Sequence, residues 1–77
     1  MTKVIDTEVT SLNIKKQMVL KGVSVKDVAE ALNMESVHSV YRWINPNSSV
    51  IPSIDNIVLL AEYFQVDIND IIFVKEI

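Results

Sequence analysis

Apolar residues recur at helical spacing along most of this chain, and the breaks between the runs mark where elements begin and end. Ile14, Met18 and the stem of Lys21 share one face of a first helix. That helix is predicted to start near Thr10 or Ser11, either of which can cap it, and to stop at Gly22. Val19 and Leu20 point elsewhere, which suggests cover from an N-terminal arm or a partner. Val25, Val28, Ala29 and Leu32 sit at i, i+3, i+4 and i+7 and form the stripe of a second helix. Ser24 caps it, with Asp27 in the capping-box position. Asn33 can take the left-handed conformation that ends a helix, and Met34 plugs the bend. A third helix follows from Glu35 or Ser36, with Val37, Val40, Trp43 and Ile44 on its apolar side. Trp43 is expected to fill the core between the third and fourth helices.

Residues 45–52, NPNSSVIP, are loop by composition. Ser53 caps a fourth helix with Ile54, Ile57, Val58, Ala61 and Phe64 inward. Asp67 caps a fifth with Ile68, Ile71 and Ile72 inward. The ends are less regular. Residues 3–9 favour β structure and read as a short strand or an extended arm, with Val4 or Ile5 able to face a core. The tail at 73–77 reads either as helix or as an extended piece beside residues 3–9.

Composition agrees with one small, mainly helical domain. The chain has 77 residues, 49% of them apolar, with one Gly and two Pro. It has no Cys, which removes disulfides, thiol chemistry and Cys-based zinc sites. The start lacks the basic-then-apolar pattern of a signal peptide, and the longest apolar run, residues 57–61, is too short for a bilayer. A soluble cytoplasmic protein is therefore expected. The net charge of −3 speaks against a polyanionic partner, but its distribution does not. Residues 13–42 carry five cations against three carboxylates, while residues 43–77 carry one against five. Such asymmetry can orient a protein on a polyanion.

Glu35, His38, Ser39 and Arg42 lie on the third helix opposite its apolar stripe, with Tyr41 at the edge. Any surface helix shows polar residues, but this set is small and hydrogen-bonding. Arg42 can grip a guanine edge or a phosphate with paired donors. His38 and Ser39 can donate or accept at a base edge, and the Tyr41 hydroxyl can reach phosphate. No catalytic constellation accompanies them. The lone His38 has no carboxylates placed to complete a metal site, and a single Gly excludes a phosphate-cradling loop. No enzyme, cofactor, metal or small-molecule substrate is expected.

The segments NIKK (13–16), KGVSVKDVAEALNM (21–34), SVYRW (39–43), IPSIDNIVLLAEYFQV (51–66) and DINDII (67–72) together resemble the lambda-repressor-like helix-turn-helix family. This is the Cro/C1 or XRE type of bacterial and phage transcription regulators. The resemblance implies an all-α, five-helix domain over residues 1–77. Residues 1–10 would be the arm, 24–44 the helix-turn-helix and 73–77 the tail. It implies that the third helix enters the major groove, commonly as a homodimer on a two-fold operator. Base reading then falls to Ser36, Val37, His38 and Ser39, with Arg42 near bases or phosphate. The loop positions Asn45, Asn47, Ser48 and Ser49 then fall to the phosphate backbone, and from their own chemistry Tyr41 and Lys26 are expected to hold phosphate beside them. Three positions depart from the family pattern. Val25 stands where Gln is common, the 45–49 loop is about two residues longer and lacks its Lys, and Gln17 replaces an apolar residue.

The expected function is sequence-specific binding of double-stranded DNA in repressor-like transcriptional regulation. The alternative is a protein-interaction module, antitoxin-like or anti-repressor, that keeps the fold with weak or no DNA binding. The acidic C-terminal half, Val25 and the missing Lys point to that alternative. The small polar face of the third helix points to DNA.

Overall fold

The computed structural model describes residues 2–77. The elements run β1 (Lys3–Ile5), α1 (Thr7–Lys21), α2 (Val25–Ala31), α3 (His38–Trp43), α4 (Ile54–Phe64), a 3-10 turn at Ile68–Asp70, and β2 (Val74–Glu76). The architecture is helical with a small two-stranded sheet. Among the described residues there are four α-helices where five were expected. The fifth reduces to the 3-10 turn, in which Asp70 Oδ2 accepts the Asp67 N–H at 3.0 Å. It cannot lengthen because the chain beyond it is held extended along α1. Asn13 donates to the Ile71 carbonyl at 3.0 Å, and Thr10 Oγ1 accepts the Phe73 N–H at 3.1 Å.

The first helix starts at Thr7, earlier than Thr10 or Ser11, so residues 7–10 of the expected arm are helical. Asp6 is the cap. Its backbone is extended and its Oδ1 accepts the Val9 N–H at 3.0 Å. Thr10 and Ser11 are buried inside the helix instead. The tail takes the extended option. β2 pairs antiparallel with β1, with Lys3 opposite Glu76, Val4 opposite Lys75 and Ile5 opposite Val74. Neither Val4 nor Ile5 reaches the core, since both strands are exposed throughout.

One core joins the helices: Ile14 and Met18 of α1, Val28, Ala29 and Leu32, Val40 and Trp43 of α3, Ile57, Leu60, Ala61 and Phe64 of α4, and Ile71. Trp43 is buried as expected. On α4 the inward stripe is 57, 60, 61 and 64, at i, i+3, i+4 and i+7. Val58 swings 100° away from Ile57 and is half-exposed. Ile54 opens the helix a turn before the stripe begins and is 78% exposed. Ile68 is likewise exposed, while Ile71 is buried.

Three helices end in the same way. After α1, Gly22 adopts φ 66° and its N–H reaches the Val19 carbonyl, while the Val23 N–H reaches Met18. After α2, Asn33 adopts φ 57°, with N–H bonds from Asn33 to Glu30 and from Met34 to Ala29. After α4, Gln65 adopts φ 61°, with bonds from Gln65 to Glu62 and from Val66 to Ala61. Each is a Schellman motif, in which a left-handed residue lets two N–H groups satisfy the last carbonyls. Val23, Met34 and Val66, the residues just past each left-handed position, all pack against the core. Each turn is therefore held by hydrogen bonds and by an apolar anchor.

Candidate nucleic-acid interface

α2 is short and doubly capped. Ser24 Oγ accepts the Asp27 N–H at 3.1 Å, and Asp27 Oδ2 accepts the Ser24 N–H at 2.8 Å. These bonds hold the Asp27 carboxyl below its ordinary value, with Lys26 adding a smaller push in the same direction. Lys26 itself projects into solvent from the first turn. Val28 and Ala29 are buried, which fixes the face α2 turns to the core.

The bend that follows is longer than the sequence suggests. Six residues, Leu32 to Val37, separate α2 from α3. α3 begins at His38, later than Glu35 or Ser36. Ser36 lies in the bend, and its Oγ accepts the His38 N–H at 3.1 Å, satisfying one of the donors that a helix start leaves unpaired. Val37, just before the helix, makes no side-chain cap. α3 and α2 pack together through the shared core. Val40 and Trp43 are the buried side of α3. His38, Tyr41 and Arg42 are its exposed side, with Tyr41 56% exposed and Ser39 half-buried between them.

Arg42 has no carboxylate partner among the described residues. Among the described residues the one ion pair is Lys75–Asp6, at 3.9 Å. Arg42 and Lys26 are therefore both free to meet an anion. The loop after α3 is tightly organised. Asn45 Oδ1 accepts the Asn47 N–H at 3.0 Å. The Ser48 hydroxyl lies 2.6 Å from the Arg42 carbonyl and 2.9 Å from that of Asn45, and accepts the Val50 N–H at 3.2 Å. Ser48 thus closes the carbonyl end of α3. Its hydroxyl points inward, whereas Asn45 and Asn47 are exposed. Sequence reasoning missed this closing role, although a Ser three residues after Asn45 in a turn-rich loop was its signal.

The structure thus places Lys26 on α2, Ser36 on the bend, His38, Ser39, Tyr41 and Arg42 on α3, and Asn45, Asn47 and Ser48 on the following loop. A short helix with an apolar underside and a polar, cationic outer side follows a helix whose start also bears a cation. The family model for helix-turn-helix proteins matches residues 14–71, which contain α2, the bend, α3 and α4. The chain belongs to the lambda-repressor-like, Cro/C1-type helix-turn-helix family. This is a family of DNA-binding regulators of transcription. No curated protein and no solved structure matches the chain. Among the described residues no group of His, Asp and Glu side chains can hold a metal ion, and no helix is long and apolar enough to cross a membrane.

Proposed function

We propose that this helix-turn-helix protein binds duplex DNA sequence-specifically as a repressor-like regulator in the bacterial cytoplasm, as a homodimer on a two-fold operator. α3 lies in the major groove while α2 crosses the backbone. The observation that carries this reading is the division of α3: Val40 and Trp43 anchor it, and His38, Tyr41 and an unpaired Arg42 face outward. Ser36, His38 and Ser39 read base edges with Arg42, whose planar fork suits the O6 and N7 of guanine. Tyr41, Lys26, Asn45 and Asn47 hold phosphate, and Ser48 keeps the loop in shape for them. With so few cations, the salt dependence corresponds to on the order of three to five phosphates for each subunit.

Selection of bound duplexes from a random library at low salt tests this reading. A two-fold symmetric motif that disappears with Arg42→Ala is the expected result. No enrichment from a folded sample would overturn it.

A further inference from the structure

The end of α2 and the last turns of α4 border a cavity of about 390 Å³ that opens to solvent. Five residues line it: Ala31, Leu59, Glu62, Tyr63 and Gln65. None of them belongs to the DNA set, so a role for this cavity is independent of DNA contact. Its chemistry is one-sided. Ala31 and Leu59 give it an apolar wall, and Tyr63 an aromatic one. Its side-chain polar groups are acceptors. Glu62 brings a carboxylate. Gln65 Nε2 donates to the Glu62 carbonyl at 2.8 Å, which leaves Gln65 Oε1 to accept. The C-terminal ends of two helices lie beside them, and their dipoles add the same sign. No cation of the C-terminal half answers this charge. Residues 43–77 hold one, Lys75, and it pairs with Asp6 at 3.9 Å. The lining is also held in place. The Tyr63 ring lies against the buried Phe64 ring, with centroids 5.5 Å apart. Gln65 stands at φ 61°, a left-handed position where Gly would carry no strain. A side chain kept at a strained position points to a role for that side chain.

We propose that this cavity binds an alkylguanidinium ion. The planar fork pairs two N–H donors with the Glu62 carboxylate, and a further N–H reaches Gln65 Oε1. The face of the guanidinium stacks on the Tyr63 ring. The alkyl stem lies along Leu59 and Ala31. Other ligand classes fit less well. An anion would meet the charge of Glu62, and a wholly apolar ligand would strip that carboxylate of water without replacing its hydrogen bonds. A compact ammonium cannot fork and stack at once. The same group occurs on small free ligands and on the Arg side chains of partner polypeptides. Glu30 and Asp55 are exposed carboxylates that do not line the cavity. A cation that only screens charge would visit them as readily as Glu62.

Titration of the full isotope-labelled chain with n-butylguanidinium chloride at constant ionic strength, followed by NMR amide shifts, tests it. Saturating shifts centred on Ala31 and residues 59–65 are expected, with Kd on the order of millimolar. Sodium butyrate should move none of them. Glu62→Gln should weaken the probe roughly tenfold, and Tyr63→Leu roughly threefold. Gln65→Gly relieves the left-handed strain, so the chain stays folded, and yet binding should fall roughly threefold. A capped Ala-Arg-Ala peptide distinguishes the two sources. Tighter binding than the free probe assigns the cavity to an Arg of a partner chain, and equal or weaker binding assigns it to a small ligand. No saturation within the millimolar range, shifts of equal size around Glu30 and Asp55, or indifference to Glu62→Gln in a folded variant would overturn the proposal.

Discussion

At the scale of single residues, the left-handed positions carry the cleanest energetics. A methyl group added at Gly22 would meet no atom within 4 Å, so Gly22→Ala isolates the backbone penalty of φ 66°. We expect a loss of about 1 kcal/mol, read as a lower urea midpoint with an unchanged slope. Gln65 occupies the same backbone region at φ 61° and carries that penalty natively. Gln65→Gly should therefore be neutral or stabilising, by up to about 1 kcal/mol, despite losing the bond from its side-chain amide to the Glu62 carbonyl. If both substitutions destabilise equally, the Schellman geometry is not what governs these ends. Lys26 and Arg42 divide in a similar way. Lys26→Ala should weaken DNA binding evenly across sequences and lower the salt slope by about 1, whereas Arg42→Ala should also relax base preference. Titrations of one matched and one mismatched duplex at several salt concentrations distinguish them.

At the scale of elements, α2 depends on its cap more than on its length. It has seven residues, too few to persist by propensity alone. The Ser24–Asp27 box holds its start, and the Asp27 carboxyl lies below its ordinary 3.8 in the fold. A carboxyl lowered by folding stabilises the protein above its unfolded value and loses that contribution as pH falls through the lower, folded value. Stability should therefore decline in acid below about 3.8, and Asp27→Asn should flatten that part of the curve while leaving a constant deficit at neutral pH. Chemical denaturation repeated across the acid range reads both effects, and a parallel pair of curves would refute the linkage. The box was legible in the sequence because its four residues are contiguous, and so were the Gly22 stop and the Asn33 reversal. The start of α1 was not: Thr10 and Ser11 look like caps until the C-terminal segment is laid beside them. α3 was placed correctly on its buried side but begins later than expected, because helical spacing marks a face and not the first residue of the helix. Of the site, the exposed set on α3 could be read from helical spacing, whereas the inward turn of Ser48 depends on a loop geometry that periodicity does not encode.

At the scale of the whole molecule, the chain ends are tied together through α1, and two neighbouring hydroxyls test how. Thr10 and Ser11 are both fully buried. Thr10 Oγ1 accepts the N–H of Phe73, a contact across 63 residues of sequence, and Asp6 donates its own N–H to the Phe73 carbonyl at 2.7 Å. Among the described residues Ser11 Oγ is buried with no partner. Removing an acceptor that leaves a donor stranded incurs the desolvation of that donor, whereas removing a hydroxyl that bonds to nothing relieves one. Thr10→Val should therefore destabilise by about 1–2 kcal/mol and speed hydrogen exchange at the Phe73 amide above the rest of the core. Ser11→Ala, one position along the same helix, should be neutral or mildly stabilising. The propensity gain of Ala adds to the second effect and cannot account for the first, since Val and Thr are nearly equal in helices. Loss of the tie would release β2 and the residues around Ile71 first, because Asn13, Thr10 and Asp6 are what hold that stretch on α1. α2, α3 and α4 have their own buried stripes and should keep their protection. Uniform exchange across all helices in Thr10→Val would mean that the terminal segment unfolds only with the whole molecule.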